Sequence, residues 1–262
     1  MYPFFEIFGA HIYTFGIALT LSFFAFLWNL QRLEKRFWYS FTFFSHNILW
    51  YFLSVFFFSR LFYVIGKWND MRSIDVFRFF IMSEYNFSLF WALFWFLLVL
   101  FILSRLEKTP LSRYIDGVVL AFLGALCIWY IGSIFGGQVY GRETLFGIEI
   151  SYRNPNTLVP YQVPVFPLPI VYSVLSFLMF SWMYILSLFI HIRWFIGYLG
   201  LLIFSSMILI FEFFSGKQDI LSVVSIFNLP QIFALILAAG SAYQFYKVFQ
   251  KDHSSKEKAL SI

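Results

Sequence analysis

The chain contains a single cysteine, Cys127, among its 262 residues. One thiol cannot form a disulfide within the chain, and it cannot by itself assemble a thiolate metal cluster. The sequence therefore argues against a disulfide scaffold and a cysteine-based zinc site, and we expect no metal and no cofactor. We expect Cys127 to be a small apolar residue inside the protein.

Charge is also scarce, because Asp, Glu, Lys and Arg make up 12% of the residues. By contrast, 61% of the residues are hydrophobic and 25% are aromatic, including 40 phenylalanines. A chain with so little polar surface cannot stay monomeric in water, so the composition predicts an integral membrane protein. We interpret the phenylalanine excess as compositional bias, since a lipid-facing phenylalanine needs no function.

Long polar stretches are missing as well, so we expect no second domain and predict one transmembrane domain over 1–262. The predicted fold class is an all-α integral membrane protein with seven transmembrane helices, an outer-face loop at 136–167 and a cytoplasmic tail at 247–262, of which 251–258 is expected to fray. We find no internal repeat, which argues against an inverted-repeat transporter. The apolar segments that can cross about 30 Å of hydrocarbon are 12–30, 41–65, 87–104, 117–135, 168–190, 194–214 and 226–246.

Lysine and arginine are concentrated in one set of loops, which predicts the orientation in the membrane. The N-terminus is expected outside and the C-terminus in the cytoplasm. The net charge of +5 reflects this loop bias, and without a basic groove we expect no nucleic-acid partner. The first apolar segment lacks a basic stretch before it and a cleavage site after it, so we expect a retained helix. The basic residues on the predicted cytoplasmic side are Arg32, Lys35, Arg36, Arg105, Lys108, Arg113, Arg193, Lys247, Lys251, Lys256 and Lys258.

Five polar residues lie in or beside the apolar segments, where an unpaired charge is costly. Arg60 is expected either to contact an anionic lipid or partner, or to extend to the membrane surface. Glu212 needs a partner or a proton, and both a structural ion pair and a chemical role stay open. His46 and Asn47 are interpreted as interhelical hydrogen-bonding residues rather than catalysts. Asp116 stands at a predicted cytoplasmic helix start, where an N-cap role explains it.

Glycines follow one another at the end of the fourth apolar segment, at Gly132, Gly136, Gly137 and Gly141, and Arg142 comes next. Glycine permits a positive φ and a close approach of the backbone to another group. Such a turn can cradle a phosphate or a carbonyl beside a guanidinium. It can equally be a helix end that packs tightly against the rest of the bundle. The glycine pattern alone leaves both interpretations open.

Several segments, spread over nearly the whole chain, together resemble the bacterial prolipoprotein diacylglyceryl transferase family. Within 116–142 the glycines Gly132 and Gly137 and the pair Gly141 and Arg142 fall on glycines and a Trp-Gly-Arg of the family pattern. The segments that carry the resemblance are IFGAHIYTFGI at 7–17, SRLFYV at 59–64, DGVVLAFLGALCIWYIGSIFGGQVYGR at 116–142, VPVFP at 163–167 followed by Tyr172, EFF at 212–214 and PQI at 230–232.

The resemblance implies a reaction and a location. The family transfers a diacylglyceryl group from phosphatidylglycerol to the lipobox cysteine of a lipoprotein precursor, with glycerol phosphate leaving. The implied site is the outer face of the bacterial cytoplasmic membrane. The implied partners are phosphatidylglycerol or another anionic phospholipid, the precursor's signal peptide and the membrane. This chemistry requires groups that bind the phosphate and an acceptor for the thiol proton.

The chain departs from the family pattern at positions that carry this chemistry. Tyr130 stands where the family has its signature arginine, Ser133 at its asparagine and Gln138 at its glutamate. A tyrosine is a poor substitute for the permanent charge and fork geometry of an arginine. The other departures are Phe166 at a histidine, Ile208 at a sixth-helix arginine and Ser88-Leu89-Phe90 at a His-Gly-Gly.

Two function classes follow from the resemblance. The first is an active transferase with an altered site, in which Tyr130 or Gln138 polarises the thiol. The second is a non-enzymatic relative that binds lipid or lipoprotein precursors. A third interpretation, a small transporter, rests on Glu212 and His46. The candidate residues for binding the lipid are Arg60, Arg142, Gly136, Gly137, Ser133 and Glu212.

Overall fold

A computed structural model describes residues 3–7, 10–61, 89–145, 147–154, 157, 159, 163–190, 192–216 and 228–260 of this chain. Residues 62–65 of the second expected helix, 87–88 of the third and 226–227 of the seventh lie outside the described residues. The same holds for Ser88 and for part of the expected outer-face loop.

The described chain is mostly helical. Five helices are long and apolar enough to cross a membrane, namely α1, α4, α5, α6 and α7 together with the short 3-10 turn that continues α7 to Phe214. A shorter apolar helix runs over Ile48–Leu61. The helices are α1 (Thr14–Phe37), α2 (Thr42–His46), α3 (Ile48–Leu53), α4 (Leu89–Leu106), α5 (Ile115–Gly136), α6 (Leu168–Phe189), α7 (Phe195–Phe211) and α8 (Leu229–Leu260).

The described chain is not purely α-helical as predicted, because it also contains two short pairs of antiparallel strands. Strands β1 (Phe4–Ile7) and β2 (Ala10–Tyr13) pair ahead of α1, where the sequence analysis expects the first helix to begin at residue 12. Strands β3 (Ile150–Ser151) and β4 (Pro164–Val165) pair within the expected outer-face loop. Backbone pairing of this kind satisfies amide and carbonyl groups that a helix does not use.

The second expected helix is not continuous. Asn47 separates α2 from α3 and has a non-helical backbone conformation, with φ −102° and ψ 14°. Its side-chain amide donates to the Phe43 carbonyl at 3.0 Å and to Glu107 Oε1, beyond the end of α4, at 2.9 Å. Local side-chain hydrogen bonds of this type compete with the helix ladder. The interpretation of Asn47 as a hydrogen-bonding residue between helices is confirmed.

Helix α5 forms the centre of the bundle. In its most apolar stretch 61% of the residues are buried, compared with 17% in α1 and in α4. It packs against α1, α6 and α7, whereas α8 packs against α7. A membrane helix that is surrounded by protein in this way needs small residues where its neighbours approach.

Small residues do occupy the contacts of α5. A Cβ at Gly132 would lie 2.0 Å from the Ala18 Cβ on α1, so the two backbones meet with no room for a larger side chain. The Ser22 hydroxyl on α1 donates to the Ala125 carbonyl at 2.8 Å. On the opposite side a Cβ at Gly200 of α7 would lie 2.9 Å from Val119. Close contacts and interhelical hydrogen bonds are what hold helices together in lipid.

Asp116 does not cap its own helix. Its carboxylate accepts hydrogen bonds from the Trp194 amide at 2.7 Å and from the Gly197 amide at 2.6 Å, both at the start of α7. These amides have no partner within α7, and a carboxylate there also interacts favourably with the helix dipole. The N-cap expectation is therefore wrong for α5. Asp116 is a buried cap for a different helix, which joins the starts of α5 and α7.

Contacts along the bundle show that α1 and α5 run in opposite directions. Ala18, near the start of α1, meets Gly132 near the end of α5, whereas the Tyr39 ring beyond the end of α1 meets Gly117. We call the end of the bundle that contains Gly136, Gly141, Leu168 and Phe214 the Gly141 end. We call the opposite end, which contains Phe37, Tyr114, Asp116 and Trp194, the Asp116 end.

Helix α8 continues beyond the seventh expected apolar segment and includes most of the expected tail. It begins at an Asn228 amide that donates to Gln231 Oε1 at 3.0 Å, which resembles one half of a capping box. It remains helical to Leu260, whereas the sequence analysis expects fraying over 251–258. Lysine, glutamate and alanine in the last two turns favour a helix, which accounts for the difference.

The contact between Gly132 and Ala18 can be tested by adding one methyl group. We expect Gly132→Ala to lower the stability of the purified protein by about 1–3 kcal/mol, because overpacking separates α1 from α5. Thermal unfolding in detergent measures the change. Gly240→Ala is the matched control, since a Cβ at Gly240 on α8 meets nothing within 4 Å. The double variant Ala18→Gly with Gly132→Ala should recover most of the loss, and failure to recover would contradict the direct contact.

The cap on α7 predicts a second stability effect. Asp116→Asn replaces one acceptor oxygen by an amide nitrogen, which leaves a buried backbone amide of α7 without its acceptor. We expect a loss of about 2 kcal/mol, measured by thermal unfolding in detergent. Glu107→Gln serves as the control because Glu107 accepts its hydrogen bond from Asn47 at an exposed position. Equal losses in the two variants would argue against a special role of Asp116.

Candidate functional site

Three chain segments join at the Gly141 end through backbone hydrogen bonds. The Arg142 amide donates to the Phe214 carbonyl at 2.7 Å, and the Gly216 amide donates to the Tyr140 carbonyl at 3.0 Å. On the other side the Phe166 amide donates to the Arg142 carbonyl at 2.9 Å. The segment 140–144 therefore lies between 164–166 and 214–216. We call these three segments the Gly141 layer.

Two glycines are required for this layer. A Cβ at Gly141 would lie 2.4 Å from the Phe166 carbonyl oxygen, and a Cβ at Gly216 would lie 2.5 Å from the Gly141 carbonyl oxygen. The obstructing atoms belong to the backbone, so they cannot turn aside as the end of a side chain could. The Phe166 and Phe214 rings stack beside them with centroids 5.1 Å apart. Phe166 thus packs against the layer and supplies no proton acceptor there.

The Gly141 layer holds Arg142 at the surface. Its Nε donates to the Ser215 carbonyl at 3.2 Å, and the side chain is otherwise exposed. This hydrogen bond fixes one edge of the guanidinium against the turn that follows α7. The planar group can still present its Nη atoms to a ligand, which is the geometry that suits a phosphate. Arg142 is the candidate anion-binding residue whose position the described structure defines best.

The glycine-rich turn packs on protein atoms. Gly137 ends α5 in the left-handed conformation, with φ 72°, and its amide donates to the Ser133 carbonyl at 2.9 Å. A Cβ at Gly136 would lie 2.4 Å from Gln138 Nε2, so the Gln138 side chain folds back onto the helix end. The tightly packed helix end is therefore the interpretation that these contacts favour. Among the described residues, the buried Gln138 Oε1 has no hydrogen-bond partner.

Ser133 and Tyr130 are both enclosed by the bundle. Ser133 is fully buried, and its hydroxyl donates to the Tyr130 carbonyl at 2.7 Å. The Tyr130 side chain is 2% exposed, and its ring lies 4.9 Å from the Tyr172 ring on α6. The position at which the resemblance places an arginine is thus occupied by an aromatic ring packed inside the protein.

A hydrogen bond links this aromatic pair to Glu212. The Tyr172 hydroxyl donates to Glu212 Oε2 at 3.2 Å. Glu212 begins the 3-10 turn Glu212–Phe214, and the carbonyls of Phe214 and Ser215 accept hydrogen bonds from Arg142. The carboxylate and the guanidinium are therefore carried by two segments that hydrogen-bond to each other.

Arg60 lies on another element. It follows the π-helical turn Ser54–Phe58 and is 8% exposed, so its side chain is inside the bundle rather than extended along the lipid surface. Its neighbour Ser59 lines an apolar cavity of about 150 Å³ between α1, α3, α4 and α5. Trp129 on the cavity wall contacts Tyr130, with ring centroids 4.8 Å apart. The cavity thus adjoins the Tyr130 side of the site.

The described residues of this region offer few metal ligands. Within the described parts of the chain, no group of three His, Cys, Asp or Glu side chains is arranged to hold a metal ion. Tyr152, in the segment that precedes β4, is buried, and this burial raises the pKa of its hydroxyl to about 12. Tyr152 therefore stays a neutral phenol at ordinary pH and packs with Val159 and Val165 beside the layer.

Sequence analysis named Tyr172 as part of a motif and gave it no role. The interaction of its hydroxyl with Glu212 joins residues 40 positions apart. The Ser215 carbonyl, which accepts from Arg142, was not identified at all. Every residue has a backbone carbonyl, so a sequence motif cannot reveal which carbonyl accepts a hydrogen bond. The neighbouring apolar residues of Glu212 were the one available signal that this carboxylate needs a partner.

Comparisons with known proteins identify the family of the chain. The sequence model of the prolipoprotein diacylglyceryl transferase family matches residues 3–246. Two curated relatives, the phosphatidylglycerol–prolipoprotein diacylglyceryl transferases of Tropheryma whipplei strains Twist and TW08/27, are each 25% identical over 120 residues. Each match covers 44% of this chain and 44% of the relative. Because the family match extends over most of its length, this chain belongs to the prolipoprotein diacylglyceryl transferase family.

Proposed function

We propose that this protein binds phosphatidylglycerol at the Gly141 end and transfers its diacylglyceryl group to the lipobox cysteine of a lipoprotein precursor. The observation that carries the proposal is the pairing of the Arg142 segment with the turn that begins at Glu212. That pairing brings a surface guanidinium and a half-buried carboxylate to the same end of the bundle. One can bind a phosphate, and the other can accept a proton.

The reaction assigns a task to each group. The cysteine sulfur attacks the glyceryl carbon that bears the phosphate, so an S–C bond forms as the C–O bond breaks. The electron pair of the broken bond leaves on the phosphate oxygen, where Arg142 stabilises the added charge. The thiol proton passes to Glu212, whose carboxylate Tyr172 orients. Gln138 Oε1 and Tyr130 remain candidates for polarising the thiol, and the backbone at Gly136 and Gly137 for assisting the phosphate.

The lysine and arginine bias supports an orientation for this site. With the basic Asp116 end in the cytoplasm, the Gly141 end faces the outside, where secreted precursors emerge. We therefore propose residence in the bacterial cytoplasmic membrane with the N-terminus outside and seven transmembrane segments. The seventh segment is the apolar first half of α8, which runs from the Gly141 end to the Asp116 end.

The apolar cavity supports a lipid substrate. Its walls come from α1, α3, α4 and α5, and apolar side chains dominate them. A cavity of about 150 Å³ is large enough for part of an acyl chain. Ser59 lines this cavity and directly precedes Arg60 in the chain, so Arg60 lies beside the cavity wall. We propose that an acyl chain occupies the cavity while Arg60 contributes to binding the lipid headgroup.

A second candidate function is binding without transfer. It is supported by the enclosed Tyr130 ring, which supplies no positive charge, and by the Ser133 hydroxyl, which is already used by a backbone carbonyl. A protein of this kind would retain the lipid and precursor sites of the family and lack turnover. The two candidates differ in whether a thioether product forms.

Arg142→Ala provides the test for the phosphate site. We expect its affinity for phosphatidylglycerol in detergent to fall about tenfold, which corresponds to one lost charge-assisted hydrogen bond. Affinity for phosphatidylcholine of the same chain length should change much less. Arg153→Ala is the matched control, because Arg153 is exposed in the same loop. A similar loss with both lipids would indicate damaged packing of the layer instead of a lost anion site.

Turnover decides between the two candidate functions. Purified protein is incubated with phosphatidylglycerol and a peptide that contains a lipobox cysteine, and mass spectrometry detects the diacylglyceryl thioether. A peptide with Cys→Ser is the control for thiol dependence. We expect a thiol-dependent product. If lipid and peptide bind and no product forms, the transferase proposal fails and the binding function stands.

Glu212→Gln tests the proton acceptor. General base catalysis typically contributes about 10²–10⁴-fold, so we expect at least a hundredfold fall in product formation. Affinity for phosphatidylglycerol should stay close to that of the unmodified protein. Glu149→Gln, an exposed change in the loop that carries Arg142, should leave turnover unchanged. A variant at Glu212 with normal turnover and reduced thermal stability would assign the carboxylate a structural role.

A further inference from the structure

Three cations near the Asp116 end lie over aromatic rings of their own helices. Arg32 Cζ is 4.2 Å from the centroid of the Trp28 ring on α1. Arg105 Cζ is 5.2 Å from the Phe101 centroid on α4. The third pair, on α8, places Lys247 Nζ 4.5 Å from the Tyr243 centroid. We call these the three aromatic–cation pairs.

The spacing and direction of the pairs are the same in each helix. The cation follows the ring by four residues, and α1, α4 and α8 all run toward the Asp116 end. Helical side chains lean toward the N-terminus, so each cation bends back onto the ring one turn before it. The residues Trp28, Phe101 and Tyr243 are 55%, 43% and 57% exposed. Each pair thus presents an exposed ring and a positive group beside it.

Three acidic side chains that the structure describes at this end are engaged elsewhere. Glu34 Oε1 accepts from the Phe41 amide at 3.0 Å, and Glu107 accepts from Asn47. The Asp116 carboxylate accepts from the start of α7. The cations of the three pairs contact aromatic rings rather than these carboxylates. Their charge therefore remains available to an anion from outside the bundle.

We infer that the three aromatic–cation pairs bind the phosphates of anionic phospholipids in the leaflet around the Asp116 end. Aromatic rings favour the boundary between hydrocarbon and headgroups, and a basic group there attracts anionic lipid. The pairs lie on three helices in different parts of the bundle. Helix α1 packs on α5, whereas α8 packs on α7. That distribution fits several individual lipids better than one protein partner. This surface lies at the opposite end from Arg142 and is independent of the proposed transferase site.

The experiment compares two triple variants that remove the same charge from the same end. Arg32→Gln with Arg105→Gln and Lys247→Gln removes the paired cations. Lys35→Gln with Lys108→Gln and Arg113→Gln removes three exposed cations for which no ring contact is seen in the described structure. Both are made in an Arg142→Ala background, so that the proposed substrate site does not contribute. Native mass spectrometry then counts bound phosphatidylglycerol and phosphatidylcholine of matched chain length.

In the first triple variant the ratio of bound phosphatidylglycerol to bound phosphatidylcholine should fall at least fivefold relative to Arg142→Ala. The second triple variant should retain the ratio of Arg142→Ala. Equal losses in both triple variants would overturn the proposal, because they indicate diffuse attraction by net charge. No loss in either would overturn it as well. Thermal unfolding in lipid-free detergent checks that both variants fold.

Single variants keep the proposal testable if the triple variant is unstable. Arg32→Gln, Arg105→Gln and Lys247→Gln should each remove part of the preference. A ring variant, Trp28→Leu, retains all charge and should weaken the preference of its own pair. If Trp28→Leu binds phosphatidylglycerol as the unmodified protein does while Arg32→Gln does not, the ring has no part in the site and the paired arrangement is refuted.

Discussion

The close packing of α5 against its neighbours is the interaction on which the rest of this structure depends. In lipid the tails are as apolar as the side chains, so helices gain little by hiding apolar surface from the membrane. Association then relies on contact distance and on interhelical hydrogen bonds. Gly132 against Ala18, Gly200 against Val119 and the Ser22 hydroxyl on the Ala125 carbonyl supply these on two sides of α5. Without small residues there, the central helix could not be surrounded so closely.

Central packing also connects the two ends of the protein. At the Asp116 end, the carboxylate of Asp116 sets where α7 begins relative to α5. At the other end, the Phe214 carbonyl in the turn after α7 accepts a hydrogen bond from the Arg142 amide. Arg142 follows α5 by a few residues. Helices α5 and α7 are therefore joined at both ends by hydrogen bonds. The position of the candidate site is determined by two rigid helices, although Arg142 itself lies in a loop.

The packed helix ends and the Tyr130 position rest on different physical interactions. Glycines permit the packed helix ends, including the left-handed Gly137 and the crowded Gly141. Tyr130, which the sequence resemblance places at the family's signature arginine, packs its ring on Tyr172. A charged group at this depth would need a partner, and an aromatic pair needs none. The ring of Tyr172 thus lets an aromatic side chain fill this buried position.

Apolar runs, loop charge and motif order were sufficient to predict a multi-pass helical membrane protein and its family, because hydrocarbon thickness and backbone hydrogen bonding restrict what can span a bilayer. Local signals also indicated that Asn47 bonds between helices and that Glu212 needs a partner. The break at Asn47, the cap that Asp116 provides for α7 and the link from Tyr172 to Glu212 depended on tertiary structure. Each of these joins groups far apart in the chain, and a sequence pattern states which groups need partners but not which partners the packing supplies.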